Sequence, residues 1–205
     1  MARPHDPFRH AVAAVRGRLR SGQLVQGERL MATEVARDLQ LSTTPVREAL
    51  AWLAGEGLIE ERRGQGYFAW RLDAVDLVEL HDLQAAYFLA ALARDGGPAA
   101  GPAPGEAGSL SRLEALALGF VRRGRSRALE RAHLRLCDQL AAARQVEPEV
   151  LADFEAEWAA LAEALGDGEP GRLRDWTAAY RARRAEAAPA LISAMRSRAT
   201  EAGGT

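Results

Sequence analysis

The sequence predicts a mainly α-helical protein, in which a winged helix-turn-helix unit of three helices and a two-stranded wing precedes an all-helical bundle. Three observations support this fold class. Apolar residues recur every three or four positions along most of the chain, which is the period of an amphipathic helix. Alternating strand patterns are confined to residues 58–70. Residues 1–72 carry 11 Arg and 8 acidic residues, whereas residues 73–205 carry 16 Arg and 20 acidic residues, so the first third is the basic part.

Composition narrows the class of protein further. The 205 residues are 48% hydrophobic and 27% charged, which is enough apolar surface for a packed core. The single cysteine, Cys137, excludes an internal disulfide framework and fits a reducing compartment. No apolar run approaches the roughly 20 residues that span a bilayer, and Met1 to Asp6 lacks the apolar core of a signal peptide. We therefore expect a cytoplasmic protein without membrane contact, divided into domains at 1–72 and 73–205.

Three short helices are predicted first. A helix ends before Gly22, a second runs from about Ala32 to Leu39, and a third opens at Thr43. Ser42 is the expected N-cap, because its hydroxyl can accept from free N–H groups of the first turn, and Pro45 is tolerated that early in a helix. The predicted buried faces comprise Phe8, Val12, Val15 and Leu19 in the first helix, Val35, Ala36 and Leu39 in the second, and Val46, Leu50 and Leu53 in the third.

The buried face of the third helix leaves its amino end polar. Thr43, Thr44, Arg47 and Glu48 are predicted to face outward there. A hairpin follows, with strands at 58–61 and 67–70 joined by a tight basic turn at 62–66. In a winged helix-turn-helix unit, such a helix can enter the major groove of DNA while arginines of the wing contact phosphate or the minor groove.

The rest of the chain is predicted to be a bundle of five or six helices. The first runs from about Val75 to Ala93, and a Gly- and Pro-rich loop covers Asp95 to Gly108. The last helix is expected to be kinked or broken near Pro189. One uninterrupted helix is predicted to carry the regular stripe of Val150, Phe154, Trp158, Leu161 and Leu165.

Residues 28–68 resemble the GntR family of bacterial transcription regulators. The most distinctive stretches are Thr-Pro-Val-Arg-Glu-Ala-Leu at 44–50 and Glu-Gly-Leu at 56–58. The helical part resembles the FadR-like subgroup, which carries an FCD effector domain. The resemblance implies a homodimer that binds a short palindromic operator in double-stranded DNA and responds to a small organic effector, usually a carboxylate.

The resemblance also implies which residues contact DNA. Arg47 could instead form a surface ion pair, and the wing arginines could simply be a solvated turn pair. Two positions depart from the family pattern, because Thr33 and Thr43 stand where relatives usually have Arg. The DNA-contacting residues carried over from the family are Thr33, Ser42, Thr43, Thr44, Arg47, Arg62, Arg63 and Gly64.

The helical part departs further from the family. FCD domains typically hold a divalent metal with one Asp and three His, but here only His133 stands at such a position, and Leu129 replaces the Asp. We therefore predict a degenerate FCD domain without metal or cofactor. His133, Trp158, Trp176 and Tyr180 are the candidate effector pocket, although their apolar stripes favour core positions for all four. If that cavity persists, Arg135 and Arg181 are candidates to pair with an anionic effector.

No constellation in the sequence indicates an enzyme. A Gly-rich phosphate loop, Gly-x-Ser-x-Gly and His-Glu-x-x-His are all missing, and no catalytic residue is predicted. Three alternatives stay open: a helical ligand-binding or dimerisation protein that has lost specific DNA binding, a constitutive regulator whose helical domain only dimerises, and a metal-dependent hydrolase.

Overall fold

A head of three helices and a small sheet opens the chain in the computed structural model, which describes residues 6–94 and 111–203. The head, residues 6–72, contains α1 (Pro7–Arg20), α2 (Ala32–Leu39) and α3 (Thr43–Gly55). The Asp6 side chain caps α1 by accepting from the backbone N–H groups of Phe8 and Arg9. Helices α1 and α3 pack against each other through the predicted apolar stripes, which are confirmed as the centre of the head core.

The sheet of the head has three strands rather than the predicted two. It comprises β1 (Arg29–Leu30), β2 (Ile59–Arg62) and β3 (Gly66–Ala69). The order is β1-β3-β2 and both pairs are antiparallel, so β3 lies in the centre. Strand β1 was missed because two residues are too short to show an alternating pattern. The predicted hairpin is confirmed, with each strand displaced by one residue.

The body, residues 73–94 and 111–203, contains six helices in its described part, which confirms the all-helical prediction. Helix α4 begins with a capping box, in which Asp73 and Asp76 each accept from the other's backbone N–H. Ser111 and Glu114 form a second capping box at α5. The body helices are α4 (Ala74–Ala93), α5 (Arg112–Arg122), α6 (Arg127–Arg144), α7 (Glu147–Val150), α8 (Phe154–Asp167) and α9 (Pro170–Gly203).

One prediction about the body helices is wrong, and a second is wrong in part. Val150 and Phe154 do not share one helix, because Leu151 is extended and Asp153 is left-handed with φ of 53°, which separates α7 from α8. The predicted break in the last helix is wrong, because α9 continues through Pro189, and the predicted kink there stays a prediction. Pro189 is exposed, so the carbonyl that loses its hydrogen bond four residues earlier can be solvated. The predicted loop at Asp95–Gly108 lies outside the described residues.

The body core consists of two apolar clusters. The first surrounds Phe88 and holds most of the aromatic rings, and the second joins α4, α6 and α9 through Leu77, Leu140 and Leu191. Leu72 belongs to the second cluster, so the end of the head chain is anchored in the body. Among the described residues, no helix is long and apolar enough to cross a membrane.

Candidate functional site

The amino end of α3 presents the polar surface that the sequence predicts. Thr44 and Arg47 are exposed, Thr43 is half-buried, and Val46 and Leu50 on the opposite side are fully buried. Ser42 is exposed at the N-cap position, but its side chain makes no capping hydrogen bond, so the predicted capping bond is wrong. The N–H groups of the first turn are therefore not capped by this hydroxyl.

A groove joins this end of α3 to the sheet. It has a volume of about 290 Å³ and is lined by Arg47, by Thr33 of α2, and by Arg29, Gly66 and Tyr67 from the sheet. Thus two of the predicted DNA-contacting residues lie together beside the base of the wing. Sequence reasoning missed Arg29, because strand β1 has no recognisable pattern. The residues that line the groove include two guanidinium groups and no carboxylate, so the groove favours an anion.

The two arginines of the wing, Arg62 and Arg63, differ in their contacts. Arg62 donates to the Glu60 carboxylate at 2.8 Å, and its guanidinium carbon lies 4.3 Å from the centre of the Phe68 ring. Arg63 is exposed at the tip, followed by Gly64 with φ of 74°, a backbone conformation that favours glycine. The ring and the carboxylate therefore orient Arg62 along the hairpin, while Arg63 extends into solvent.

These features together form a surface that can accept a nucleic-acid backbone. The first N–H groups of α3 have no partner within the helix, and the helix dipole makes this end favourable for phosphate. Arg47 and Arg29 lie on one side of it and Arg63 at the wing tip. Arg47 makes no ion pair with another residue in the described part of the chain, so its side chain is available to a ligand.

The four residues of the predicted effector pocket come together in the body, but as packed rings. His133, Trp158, Trp176 and Tyr180 are each at most 7% exposed. Trp176 stacks on Tyr180 at 5.1 Å between ring centres and lies 5.6 Å from Trp158, and Phe88 contacts His133 at 5.9 Å. The structure therefore brings the predicted residues together and fills the space between them with their own side chains.

A buried polar cluster adjoins these rings, and sequence reasoning missed most of it. The Gln84 carbonyl oxygen accepts from the Tyr180 hydroxyl and from Arg144, both at 2.8 Å. His81 Nδ1 lies 3.1 Å from the same hydroxyl. Gln84 and His81 are polar residues within the apolar stripe of α4, and that was the one signal available in the sequence. Other partners lie up to 99 positions apart, so no local pattern marks them.

Arg184 is the most deeply buried charge of this cluster. It is fully buried and donates to the carboxylates of Glu147 and Glu157 at 2.9 Å, with its guanidinium carbon 3.7 Å from the centre of the Tyr180 ring. Burial opposes its charge, but these carboxylates and Tyr180 outweigh that effect and raise the pKa of Arg184. The guanidinium is therefore a permanent positive charge inside the body.

Burial also controls the protonation of the two body histidines. It lowers the pKa of His133 to about 3, and the nearby Arg144 guanidinium acts in the same direction. Burial lowers the pKa of His81 well below its usual value, assisted by Arg184 and Arg144. Burial likewise raises the pKa of Tyr180 to about 12. Both imidazoles are therefore neutral near pH 7 and the phenol stays protonated.

The residues at the family's metal positions do not fit a divalent metal. His133 Nε2 contacts the Cys137 thiol at 3.4 Å, and Phe88 packs beside the ring. Burial raises the pKa of the Cys137 thiol, which disfavours the thiolate that a metal would require. Within the described ranges, no group of three or more His, Cys, Asp or Glu side chains could hold a metal ion.

A second feature missed from the sequence is a chain of ion pairs between body and head. Arg144 donates to Glu114 at 3.2 Å, and Glu114 accepts from Arg20 of α1 at 2.6 Å. Arg20 also donates to Asp138 at 2.7 Å. These contacts continue the polar cluster from Gln84 and Arg144 to the first helix of the head.

A cleft lies along this chain of ion pairs. It has a volume of about 520 Å³ and is lined by Arg20, Glu114 and Arg144 together with Leu113 and Phe154. It therefore combines two arginines with apolar walls, the composition that suits a small organic anion.

The two arginines predicted as effector partners are already engaged elsewhere. Arg135 is paired with Glu56 of the head at 2.9 Å. Arg181 is paired with Asp82 of α4 at 2.7 Å. Neither lines the cleft described above.

Comparison with known proteins adds to this geometry. Residues 7–68 match the bacterial regulatory proteins of the gntR family. An uncharacterised HTH-type transcriptional regulator of Mycobacterium tuberculosis is 35% identical over 72 residues, which are 35% of this chain and 30% of that protein. The Nta operon transcriptional regulator of Aminobacter aminovorans is 42% identical over 59 residues, which are 29% of this chain and 28% of the relative. The chain thus spans less than a third of the length of these relatives.

Solved structures resemble the whole chain in fold. The crystal structure of a putative transcriptional regulator GntR from Rhodococcus sp. RHA1 aligns with a TM-score of 0.68 at 16% identity, covering 91% of this chain and 97% of that one. The structure of E. coli McbR/YncC aligns with a TM-score of 0.62 at 17% identity, covering 89% and 97%. At these identities the likeness shows the fold alone, which is a small head of helices and strands followed by a helical body. Membership of the FadR-like subgroup stays a prediction.

Proposed function

We propose that this protein is a sequence-specific DNA-binding transcription regulator that acts as a homodimer on a short two-fold-related operator in the cytoplasm. The observation that carries the proposal is the exposed amino end of α3, with Thr44 and Arg47, beside the groove that Arg29 and Thr33 line in a GntR-family domain.

Each head would place α3 in the major groove. A guanidinium can grip guanine O6 and N7 with two donors, and each such contact discriminates by about 1–3 kcal/mol. Arg47 supplies that group, whereas Thr43 and Thr44 can approach the backbone or a thymine methyl. Arg63 at the wing tip would contact phosphate, since phosphate contacts position a protein on its site.

The body would bind a small organic acid at the cleft between Arg20 and Arg144. An entering carboxylate could replace Glu114 as the partner of both guanidinium groups, because Glu114 bridges them at 2.6 and 3.2 Å. Replacement would loosen the contact between α1 and α5 while leaving Arg144 bound to Gln84. The effector would thereby favour a different placement of the head, which requires a different affinity for the two arrangements. Residues 73–205 would then form the effector and dimerisation domain.

Operator binding is tested by fluorescence anisotropy with the full chain. Labelled DNA from the region upstream of its gene is titrated over a salt series beside a scrambled duplex. We expect tighter binding to the upstream DNA and a fall in affinity with salt, because phosphate contacts release counterions. Equal, weak binding to both duplexes would contradict the proposal and favour the alternative of a helical protein that has lost specific DNA binding, which Thr33 and Thr43 in place of arginines would explain.

Effector binding is tested by thermal unfolding with small mono- and dicarboxylic acids and their matching amides. A ligand that binds the folded state raises the melting temperature, and the rise grows with ligand concentration above the dissociation constant. We expect a rise with at least one acid, and no rise with its amide or in the Arg144→Met variant. If no acid stabilises the protein, the constitutive alternative, in which the body only dimerises, is favoured.

A further inference from the structure

The outer face of α4 is apolar, although it faces solvent. Val75 is 65%, Leu83 is 41% and Leu89 is 47% exposed. Ala86 and Ala90 are exposed between them. At 3.6 residues per turn, all five lie within about 60° of the direction of Ala86. Helix α4 is thus apolar around most of its circumference, which is typical of a helix that is covered on all sides.

The inner sides of α4 already have partners, and the outer side has none within the described residues. Helices α5, α6 and α9 pack against the inner sides. On the outer side, Glu79, Leu83, Ala86, Ala90 and Ala93 follow one another at spacings of four and three residues. This alternation is the seam along which two helices pack.

We propose that the outer face of α4 is the surface on which a second copy of this chain docks, in antiparallel orientation and with the two-fold axis between residues 86 and 87. The proposal rests on the homodimer of the proposed function and names its interface. Two-fold symmetry requires a surface that complements itself.

The seam meets that requirement in size and in charge. With the two-fold axis between residues 86 and 87, Leu83 of each copy lies level with the small Ala90 of the other, so a large side chain packs opposite a small one. Glu79 of each copy approaches the exposed Arg94 of the other, which brings opposite charges together at both ends.

The neighbouring helix widens the surface. A single 20-residue helix is about 30 Å long, and one stripe of it covers less than the roughly 800 Å² that each partner buries in a standard interface. Asp82 of α4 is joined to Arg181 of α9 at 2.7 Å, which ties the two helices together at this surface. Ala178 and Ala185 lie three and four residues from Arg181 on the same side of α9 and add a second row of small side chains.

Leu83→Glu tests the surface by light scattering coupled to size-exclusion chromatography of the full chain. We expect a dimeric wild type and a dissociation constant raised at least 100-fold by Leu83→Glu, because two buried carboxylates would lack partners. Ala162→Glu, at an exposed position of α8, is the matched control and should stay dimeric. A Leu83→Glu protein that dimerises like the control would overturn the proposal.

Cysteine trapping tests the orientation without a destabilising charge. The native Cys137 is buried, so an introduced cysteine is the reactive one. Ala86→Cys should form a disulfide-linked dimer on mild oxidation, whereas Ala93→Cys and Ala162→Cys should not, since antiparallel packing separates the two copies of residue 93. Cross-linking of both Ala86→Cys and Ala93→Cys, or of neither, would overturn the antiparallel arrangement.

The outcomes separate this interface from the proposed function. If wild type binds its operator as a dimer while Leu83→Glu remains dimeric, only the α4 surface is wrong. If wild type is monomeric and lowering its concentration leaves operator binding unchanged, the homodimer itself is wrong.

Discussion

The head and the body have cores of opposite character. All nine buried polar or charged residues that the structure describes belong to the body, whereas the head core consists of apolar side chains around Val46, Leu50 and Leu53. In the head, the polar residues lie at the surface, at the amino end of α3 and on the wing. The body instead surrounds Arg184, Gln84 and His81 with apolar rings.

This difference separates two tasks. The apolar core of the head supports α3 from the inside, and it leaves Thr44 and Arg47 exposed to an external partner. Buried ion pairs are weak evidence for stability, because apolar residues of the same volume often serve equally well. In the proposed function the buried pairs of the body serve ligand response, and the chain of ion pairs through Glu114 would carry that response to α1.

The largest expected effect comes from the centre of the body. Arg184→Leu would leave the carboxylates of Glu147 and Glu157 buried without their main partner, so we expect the free energy of unfolding to fall by about 3–5 kcal/mol. Urea denaturation measures this change. Arg174→Leu, at an exposed position on the same helix, should alter it by less than about 0.5 kcal/mol. Equal losses of stability in the two variants would contradict the expectation that the buried Arg184 stabilises the fold more than the exposed Arg174.

Substitution of an exposed residue of the head should change the affinity for DNA and not the free energy of unfolding. We expect Arg47→Ala to weaken operator binding by about 1–3 kcal/mol, or roughly 5- to 150-fold, because one major-groove or phosphate contact is lost. Its unfolding curve should match that of wild type, since Arg47 is exposed. Anisotropy titrations beside Arg174→Ala check the prediction. An affinity unchanged by Arg47→Ala would exclude this residue from the interface.

The pH dependence of stability should originate in the body. The pKa of His133 is about 3 in the folded protein and near 6.5 when unfolded, so its contribution to stability is complete above pH 6.5 and is lost as the pH falls toward 3. We expect a loss of about 2 kcal/mol between pH 7 and pH 5 from this residue. His81 acts in the same direction. Urea unfolding at the two pH values should show a smaller loss in His133→Gln, and an equal loss in both proteins would contradict the assignment.

The smallest effect is expected at the wing turn. Gly64 has φ of 74°, and a Cβ added there would meet no atom within 4 Å, so Gly64→Ala should cost about 1 kcal/mol through the backbone alone. Gly166→Ala, in helix α8 with similarly open space, should be neutral or stabilising. Thermal unfolding of the two variants gives the comparison. An unchanged melting temperature in Gly64→Ala would show that the wing turn accepts alanine without loss of stability.

Helical periodicity was enough to predict which residues of the head are exposed. The polar cluster of the body could not be predicted in this way, because its residues are far apart in the sequence. The stripe of Val46, Leu50 and Leu53 determines which side of α3 is buried, so the exposure of Thr44 and Arg47 follows from the sequence. Arg29 could not be placed, because its strand has two residues and is defined only by pairing with β3.

The body cluster follows from tertiary packing. Gln84 meets Tyr180 and Arg144 across 96 and 60 positions, and Arg20 meets Glu114 across 94. Helix order alone does not determine which of these polar side chains face one another. The one local indication in the sequence is that Gln84 and His81 interrupt the apolar stripe of α4. They indicate that polar groups are buried there, but not which residues they contact.

Selection of bound sites from a random duplex library with the full chain tests the central claim most directly. We predict enrichment of an inverted repeat, with half-sites arranged for two copies of α3 in major grooves on one side of the duplex. Loss of that enrichment in Arg47→Ala would assign the contact to α3. Sequencing that shows no enriched site with the wild-type protein would contradict the account of this chain as a sequence-specific regulator.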